Sequence, residues 1–149
     1  DLSSLYAMLE LNAVDLVSQL GKKLSISSKT MERAKALVLR LSKAKGVAYT
    51  LSSFDVVSIN KSLMEFSRRN GISLQEAHSI YIAKKLNGIL VSDDAKTRQV
   101  SRSYGVPAVP TLSLLSYARS QGLVNNNYFK ELVMKMGTIP FMVPKDLIG

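Results

Sequence analysis

The rhythm of hydrophobic and polar positions changes several times along the chain, and each change marks an element. From Leu2 to Leu20, apolar residues at Leu5, Met8, Leu9, Leu11, Val14, Leu16, Val17 and Leu20 keep close to helical spacing. Gly21 stops that run, and Leu24-Ser-Ile-Ser27 reads as a short strand. Thr30 to Ala44 reads as a helix with Ala34, Leu37 and Leu41 on one face, and Gly46 ends it. Val47-Ala-Tyr-Thr-Leu51 looks extended, and Ser53-Phe54-Asp55 opens a helix that runs to about Asn70. Gly71-Ile-Ser73 then leads into a helix from Leu74 to about Leu86. Ile89-Leu-Val91 and Val106-Pro-Ala-Val109 are short strand candidates on either side of a helix from Thr97 to Tyr104. Two further helices, Thr111 to Gln121 and Tyr128 to Met136, precede a short tail at Phe141-Met-Val143. Strands separated by helices of this length predict an α/β fold with a central parallel sheet, covered on both faces as a three-layer α/β/α domain.

Composition narrows the class. The 149 residues are 46% hydrophobic, which fits one globular domain spanning residues 1–149 with enough chain for a core. Twenty Lys and Arg against eleven Asp and Glu give a formal charge of +9. That excess suits a polyanionic partner such as RNA, because phosphate contacts supply much of nucleic-acid affinity. With no cysteine, disulfides, thiolate nucleophiles and Cys-based zinc sites are excluded. No apolar run is long enough for a membrane span and no signal-peptide pattern opens the chain, so no membrane association and a cytoplasmic location are expected.

The sharpest chemical signal is Gly88-Ile-Leu-Val-Ser-Asp-Asp94, followed by the basic segment Ala95-Lys-Thr-Arg-Gln-Val-Ser-Arg102. Ligands of open α/β sheets gather at the carboxyl ends of strands, where Asp93 and Asp94 are expected to stand. Asp1 begins the first helix, Glu32 lies in the first turns of the second, and Glu76 opens the helix after Ser73. Five acids at helix starts along one sheet edge form a candidate site for a hard cation, Mg²⁺ or Mn²⁺, which takes oxygen ligands. Each acid also has a local reading. Ser73-Leu-Gln-Glu76 is a capping box, Ser92 and Asp93 suit a helix cap, and Glu32 suits a first-turn charge.

Together these pieces resemble the PIN-domain nucleases, especially the prokaryotic VapC-like toxin branch. The resemblance is carried by Asp1-Leu-Ser-Ser-Leu-Tyr-Ala-Met-Leu-Glu10, Ile26-Ser-Ser-Lys-Thr-Met-Glu32, Ile72-Ser-Leu-Gln-Glu-Ala77 and Leu90-Val-Ser-Asp-Asp94. Tyr104 to Leu115, Ala118 to Leu123 and the tail from Tyr128 to Phe141 extend it over nearly the whole chain. It implies that Asp1, Glu32, Glu76 and Asp93 are catalytic metal ligands, with Asp94 supporting them. Ser92 and Thr111 would stand behind the acids. The implied activity is a Mg²⁺- or Mn²⁺-dependent endoribonuclease, in which a metal-activated water attacks a single-stranded RNA phosphodiester. Implied partners are RNA, a small antitoxin and a second copy in a homodimer.

The chain departs from the family in three places. Glu76 replaces the commoner Asp, and Pro110-Thr111 replaces a usual Gly-Thr. The family also has a hydrophobic strand before the acid that Asp1 matches, so a first strand is expected ahead of residue 1. Lys96, Arg98 and Arg102 follow the acid pair directly and are the candidate phosphate contacts. Lys84-Lys85, Arg68-Arg69 and Arg119 read as solvated faces, His78 as structural or solvent-facing, and the methionines as core fillers. A receiver domain, which also uses an Asp pair, is excluded because its pair stands near the start and is followed by a strand-ending Asp; the only later Asp here is Asp146. Beside the ribonuclease stands one alternative, a non-catalytic PIN-like module that binds RNA or protein.

Overall fold

The computed structural model describes residues 1–47, 49, 51 and 54–140. Parallel strand pairs alternate with eight helices among these residues, as expected of an α/β/α PIN-like fold. Strand β1 (Leu24–Ser27) pairs in parallel with β2 (Phe54–Val57), with Leu24 opposite Phe54 and Ile26 opposite Val56. Strand β3 (Leu90–Val91) pairs in parallel with β4 (Ala108–Val109), with Leu90 opposite Ala108. The described ladders thus form two parallel pairs, where the sequence predicts one central sheet.

A helix crosses over within each pair. Helix α3 (Ser28–Lys45) connects β1 to β2, and α6 (Ala95–Ser103) connects β3 to β4. The opening apolar run is divided into α1 (Leu2–Glu10) and α2 (Val14–Ser18) rather than forming one helix to Leu20. Asn12 sits at φ 53°, in the left-handed region that asparagine tolerates, and the kink turns Leu11 and Ala13 into the core. A second correction concerns the helix expected from Ser53. Ser53 lies outside the described residues, but Phe54, Val56 and Val57 belong to β2, and α4 (Met64–Asn70) starts only at Met64. An aromatic and two β-branched residues suit a strand once β1 offers a partner edge. Of the expected extended segment from Val47, Ala48 and Thr50 lie outside the described residues, and Tyr49 and Leu51 pack against the core. The tail at Phe141 also lies outside them.

The remaining helices are α5 (Leu74–Lys85), α7 (Thr111–Ser120) and α8 (Asn126–Met136). One core cluster gathers Leu5, Leu9, Val17, Ile26, Leu37 and Leu41 between α1, β1 and α3. Another joins Leu63, Ile72, Ile80, Leu90, Val106 and Ala108. A third holds Leu11, Leu115, Ala118, Val124 and Leu132 beneath α7 and α8. Gly46, the C-cap of α3, takes φ 66°, a conformation that a side chain would strain. Among the described residues no helix is long and apolar enough to cross a membrane.

Two outcomes follow from this packing. Leu37 is fully buried in the first cluster, so Leu37→Ala should destabilise the fold by about 2–5 kcal/mol in denaturant titration. His78 is buried on α5, and its Nδ1 has no partner among the described residues. Desolvation, and then the Lys29 charge, hold its pKa below the ordinary 6.5. As pH falls through 6.5 the unfolded chain takes up a proton that the folded chain resists, so stability should decline. Melting temperatures between about pH 7 and about pH 5.5 should therefore drop less in His78→Gln than in the unaltered chain.

Candidate functional site

The site is built where β3 ends. Leu90 N–H donates to Pro107 O (2.9 Å) and Ser92 N–H to Val109 O (3.0 Å), so the ladder carries one residue past the strand. Ser92 is fully buried, and its Oγ accepts the Asp94 N–H at 3.2 Å, which turns the chain into α6. Asp94 then acts as the N-cap of α6: its Oδ2 accepts from both the N–H and the hydroxyl of Thr97. Such a cap satisfies an orphan helix donor and places a carboxylate against the positive end of the helix dipole.

Asp93 points elsewhere. Its Oδ1 accepts the Thr111 N–H at 2.8 Å, and its Oδ2 accepts the Thr111 hydroxyl at 2.7 Å. The N-cap position of α7 is Pro110, which has no side-chain acceptor. A carboxylate 18 residues earlier in the chain supplies the missing cap. The Pro-Thr departure from the family therefore has a structural counterpart, since Thr111 is fully buried and grips Asp93 twice.

Asp1 lies beside this strand end. Its main-chain nitrogen donates to Val91 O at 2.8 Å, and its Oδ1 caps α1 by accepting Ser3 Oγ–H (2.8 Å) and Ser4 N–H (3.0 Å). Asp93 and Glu76 lie within electrostatic range of the Asp1 main-chain nitrogen. Glu76 closes the capping box of α5, its Oε2 accepting Ser73 N–H at 2.7 Å while Ser73 Oγ accepts Glu76 N–H at 3.1 Å. Asp1 therefore adjoins the end of β3, with Asp93 and Glu76 in electrostatic range of its nitrogen, and Asp94 follows Asp93 directly.

Glu32 stands apart. It is exposed on α3 and has no hydrogen bond or ion pair among the described residues. The donor chemistry suits a hard cation, for Asp1 Oδ2 and Glu76 Oε1 accept no hydrogen bond from the described residues. Among those residues, however, no three acidic or histidine side chains gather closely enough to hold a metal ion together. A Mg²⁺ site is commonly completed by water and substrate phosphate around one or two carboxylates. Asp1 and Glu76, each with one oxygen left open by its capping bonds, are candidates for that lesser requirement.

The basic candidates divide. Lys96 is exposed, and its ammonium lies so close over Gly71 that a Cβ there would come within 2.6 Å of Nζ. Arg98 instead donates to Ser92 O (2.8 Å), and Arg102 to Ala108 O (2.7 Å). These two guanidinium groups brace the ends of β3 and β4, and each keeps further N–H donors. Sequence reasoning missed Ser3, which orients Asp1; the only signal is its place two residues after an N-cap acid. It also missed Ser4, whose fully buried Oγ has no partner among the described residues.

A family model described as a PIN domain associated with the TPR-GreAB-C-PIN system matches residues 1–103. The match takes in Asp1, Glu32, Glu76, Asp93 and Asp94 and stops before Thr111. No curated protein matches the chain, and no solved structure does.

The Asp93 clamp makes its two removals unequal. Thr111→Val keeps the N–H bond and loses only the hydroxyl bond, and it should lower stability by about 1.5–3 kcal/mol, the range for a hydrogen bond to a charged group. Asp93→Asn can keep both contacts, its Oδ1 accepting the Thr111 N–H and its NH₂ donating to the Thr111 hydroxyl, so it should lose only the charge assistance and destabilise less. Chemical denaturation of both variants checks the order.

Proposed function

The chain belongs to the PIN domains associated with the TPR-GreAB-C-PIN system, and from that membership we propose that it is a metal-dependent endoribonuclease acting on single-stranded RNA. PIN domains are generally nucleases, and a nuclease-type module is the coarse description that membership supports. The observation that supports the finer reading is that Asp1 is joined to the end of β3 through Val91, with Asp93 and Glu76 in electrostatic range of its nitrogen. Asp1 and Glu76 would hold a Mg²⁺ or Mn²⁺ ion through the oxygens that their capping bonds leave open, with the Thr111-bound Asp93 adding its charge beside them. When bound, such a cation lowers the pKa of water and offsets charge on the phosphate.

The chain's own residues do the positioning. Thr111 fixes the Asp93 carboxylate, and Ser3 with the Ser4 amide fixes that of Asp1. The exposed Lys96 is the basic residue best suited to meet an RNA phosphate, because its ammonium has no carboxylate partner among the described residues. A role as the toxin of a toxin–antitoxin pair, with a small antitoxin and a homodimeric assembly, rests on the VapC-like resemblance. The matched family is a different branch.

One observation favours a second reading. The carboxylates of Asp1, Glu76, Asp93 and Asp94 all serve as helix caps, and no three of them gather around a common point among the described residues. A PIN-like module that binds RNA without cleaving it would need no more.

Asp1→Asn separates the two readings cleanly, because Asn Oδ1 can accept both capping bonds while the charge is lost. Cleavage of labelled single-stranded RNA in Mg²⁺ or Mn²⁺ should occur with the unaltered chain and vanish with chelator or with Asp1→Asn. Circular dichroism should show the variant folded. Absence of cleavage by the unaltered chain in either ion, with RNA binding retained, supports the module instead. In both cases Lys96→Gln should reduce the slope of log K against log salt by about one.

A further inference from the structure

Helices α7 and α8 lie beyond residue 103, outside the segment that the family model matches. Leu132 of α8 turns inward onto Leu115 and Ala118, and among the described residues nothing covers the outer flank of the helix at Val133 and Met134. There a groove is lined by Arg119, Asn126, Phe129, Lys130, Val133 and Met134. Met134 is 75% exposed and Val133 38%, so the floor presents apolar surface to water. Covering such surface is favourable at roughly 25 cal/mol per Å².

The charge around this floor has one sign. Arg119 and Lys130 are both cationic, and among the described residues no carboxylate lines the groove. The Arg119 guanidinium lies over the Phe129 ring, 4.2 Å from its centroid, and no ion pair engages it among the described residues. Stacking covers one face of the guanidinium and holds it in orientation while its N–H edge stays available. That edge matches a carboxylate with two parallel hydrogen bonds.

We propose that this groove docks an amphipathic helical segment of a partner protein, whose apolar side chains cover Val133 and Met134 while an acidic residue pairs with Arg119. Helix-in-groove recognition needs this combination of an apolar floor and a flanking charge. A nucleic acid would engage Arg119 and Lys130 but leave Val133 and Met134 in water, so the observations favour the peptide. The surface is separate from the acidic site, and the inference does not rest on the nuclease reading.

The test uses the 149-residue chain and a fluorescein-labelled synthetic helix with leucines along one face and glutamates flanking them. Fluorescence anisotropy should show binding of this peptide and none of its lysine-flanked counterpart. Arg119→Glu and Met134→Asp should each weaken binding by at least roughly tenfold. Both side chains are surface groups, so melting curves should stay close to that of the unaltered chain; Lys130→Glu provides a third variant if either fails to fold. Equal binding of the two peptides, or affinities untouched by the substitutions, would overturn the proposal. So would single-stranded RNA that displaces the peptide and is itself weakened by the same substitutions. Sedimentation showing a dimer that Met134→Asp dissociates would assign the groove to a second copy. A peptide of residues 141–149 that outcompetes the acidic helix would overturn it by assigning the groove to that segment.

Discussion

The acidic end of this protein depends on the grip of Asp93 on Thr111. A two-residue strand cannot secure the chain that leaves it, and β3 is only Leu90–Val91. The carboxylate of Asp93 solves this by closing the N-terminus of α7, which Pro110 leaves without a cap. One ionised group thereby ties β3, β4 and α7 at a single point, and a charge-assisted bond is about twice as strong as a neutral one. Arg98 and Arg102 reinforce the same junction from α6 by donating to the carbonyls of Ser92 and Ala108.

The arrangement also explains how acids come to lie near one another without expelling each other. Asp1, Glu76, Asp93 and Asp94 each accept backbone N–H groups at the start of a helix. Helix N-termini carry partial positive charge, and their amides offset the repulsion among the carboxylates. Capping and candidate catalysis therefore draw on the same groups. The capping bonds occupy one oxygen of Asp1 and of Glu76 and leave the other turned away from them. In Asp93 both oxygens are engaged, which makes it the most structural of the set.

Local signals were legible in the sequence where partners lie within a turn or so of one another. Ser73 and Glu76 form the capping box that their spacing announces, and Gly46 ends α3. The strands β1, β3 and β4 fall inside the segments read as extended, because short apolar runs beside glycine, serine and proline limit the alternatives. Phe54 to Val57 was read as helix because a strand of four residues has no visible partner in one dimension; β1, about thirty residues away, decides the matter. The break at Asn12 was hidden for a related reason: both halves of the run remain apolar, and only packing shows that the chain turns there.

For the site, residue types and the family resemblance pointed to Asp1, Glu76, Asp93, Asp94, Ser92 and Thr111, which the structure ties into capping and turn hydrogen bonds, and the exposed position of Glu32 was not readable from them. Sequence by itself determined the α/β character, the basic surface, the absence of thiol chemistry and the acids at helix starts, since these follow from composition and short-range spacing. Tertiary structure alone decided that Asp93 serves α7 rather than α6, that Arg98 and Arg102 brace carbonyls, and that Asp1 meets the end of β3. Each of those contacts joins residues whose distance in space is set by strand pairing and helix packing, and periodicity along the chain carries no record of it.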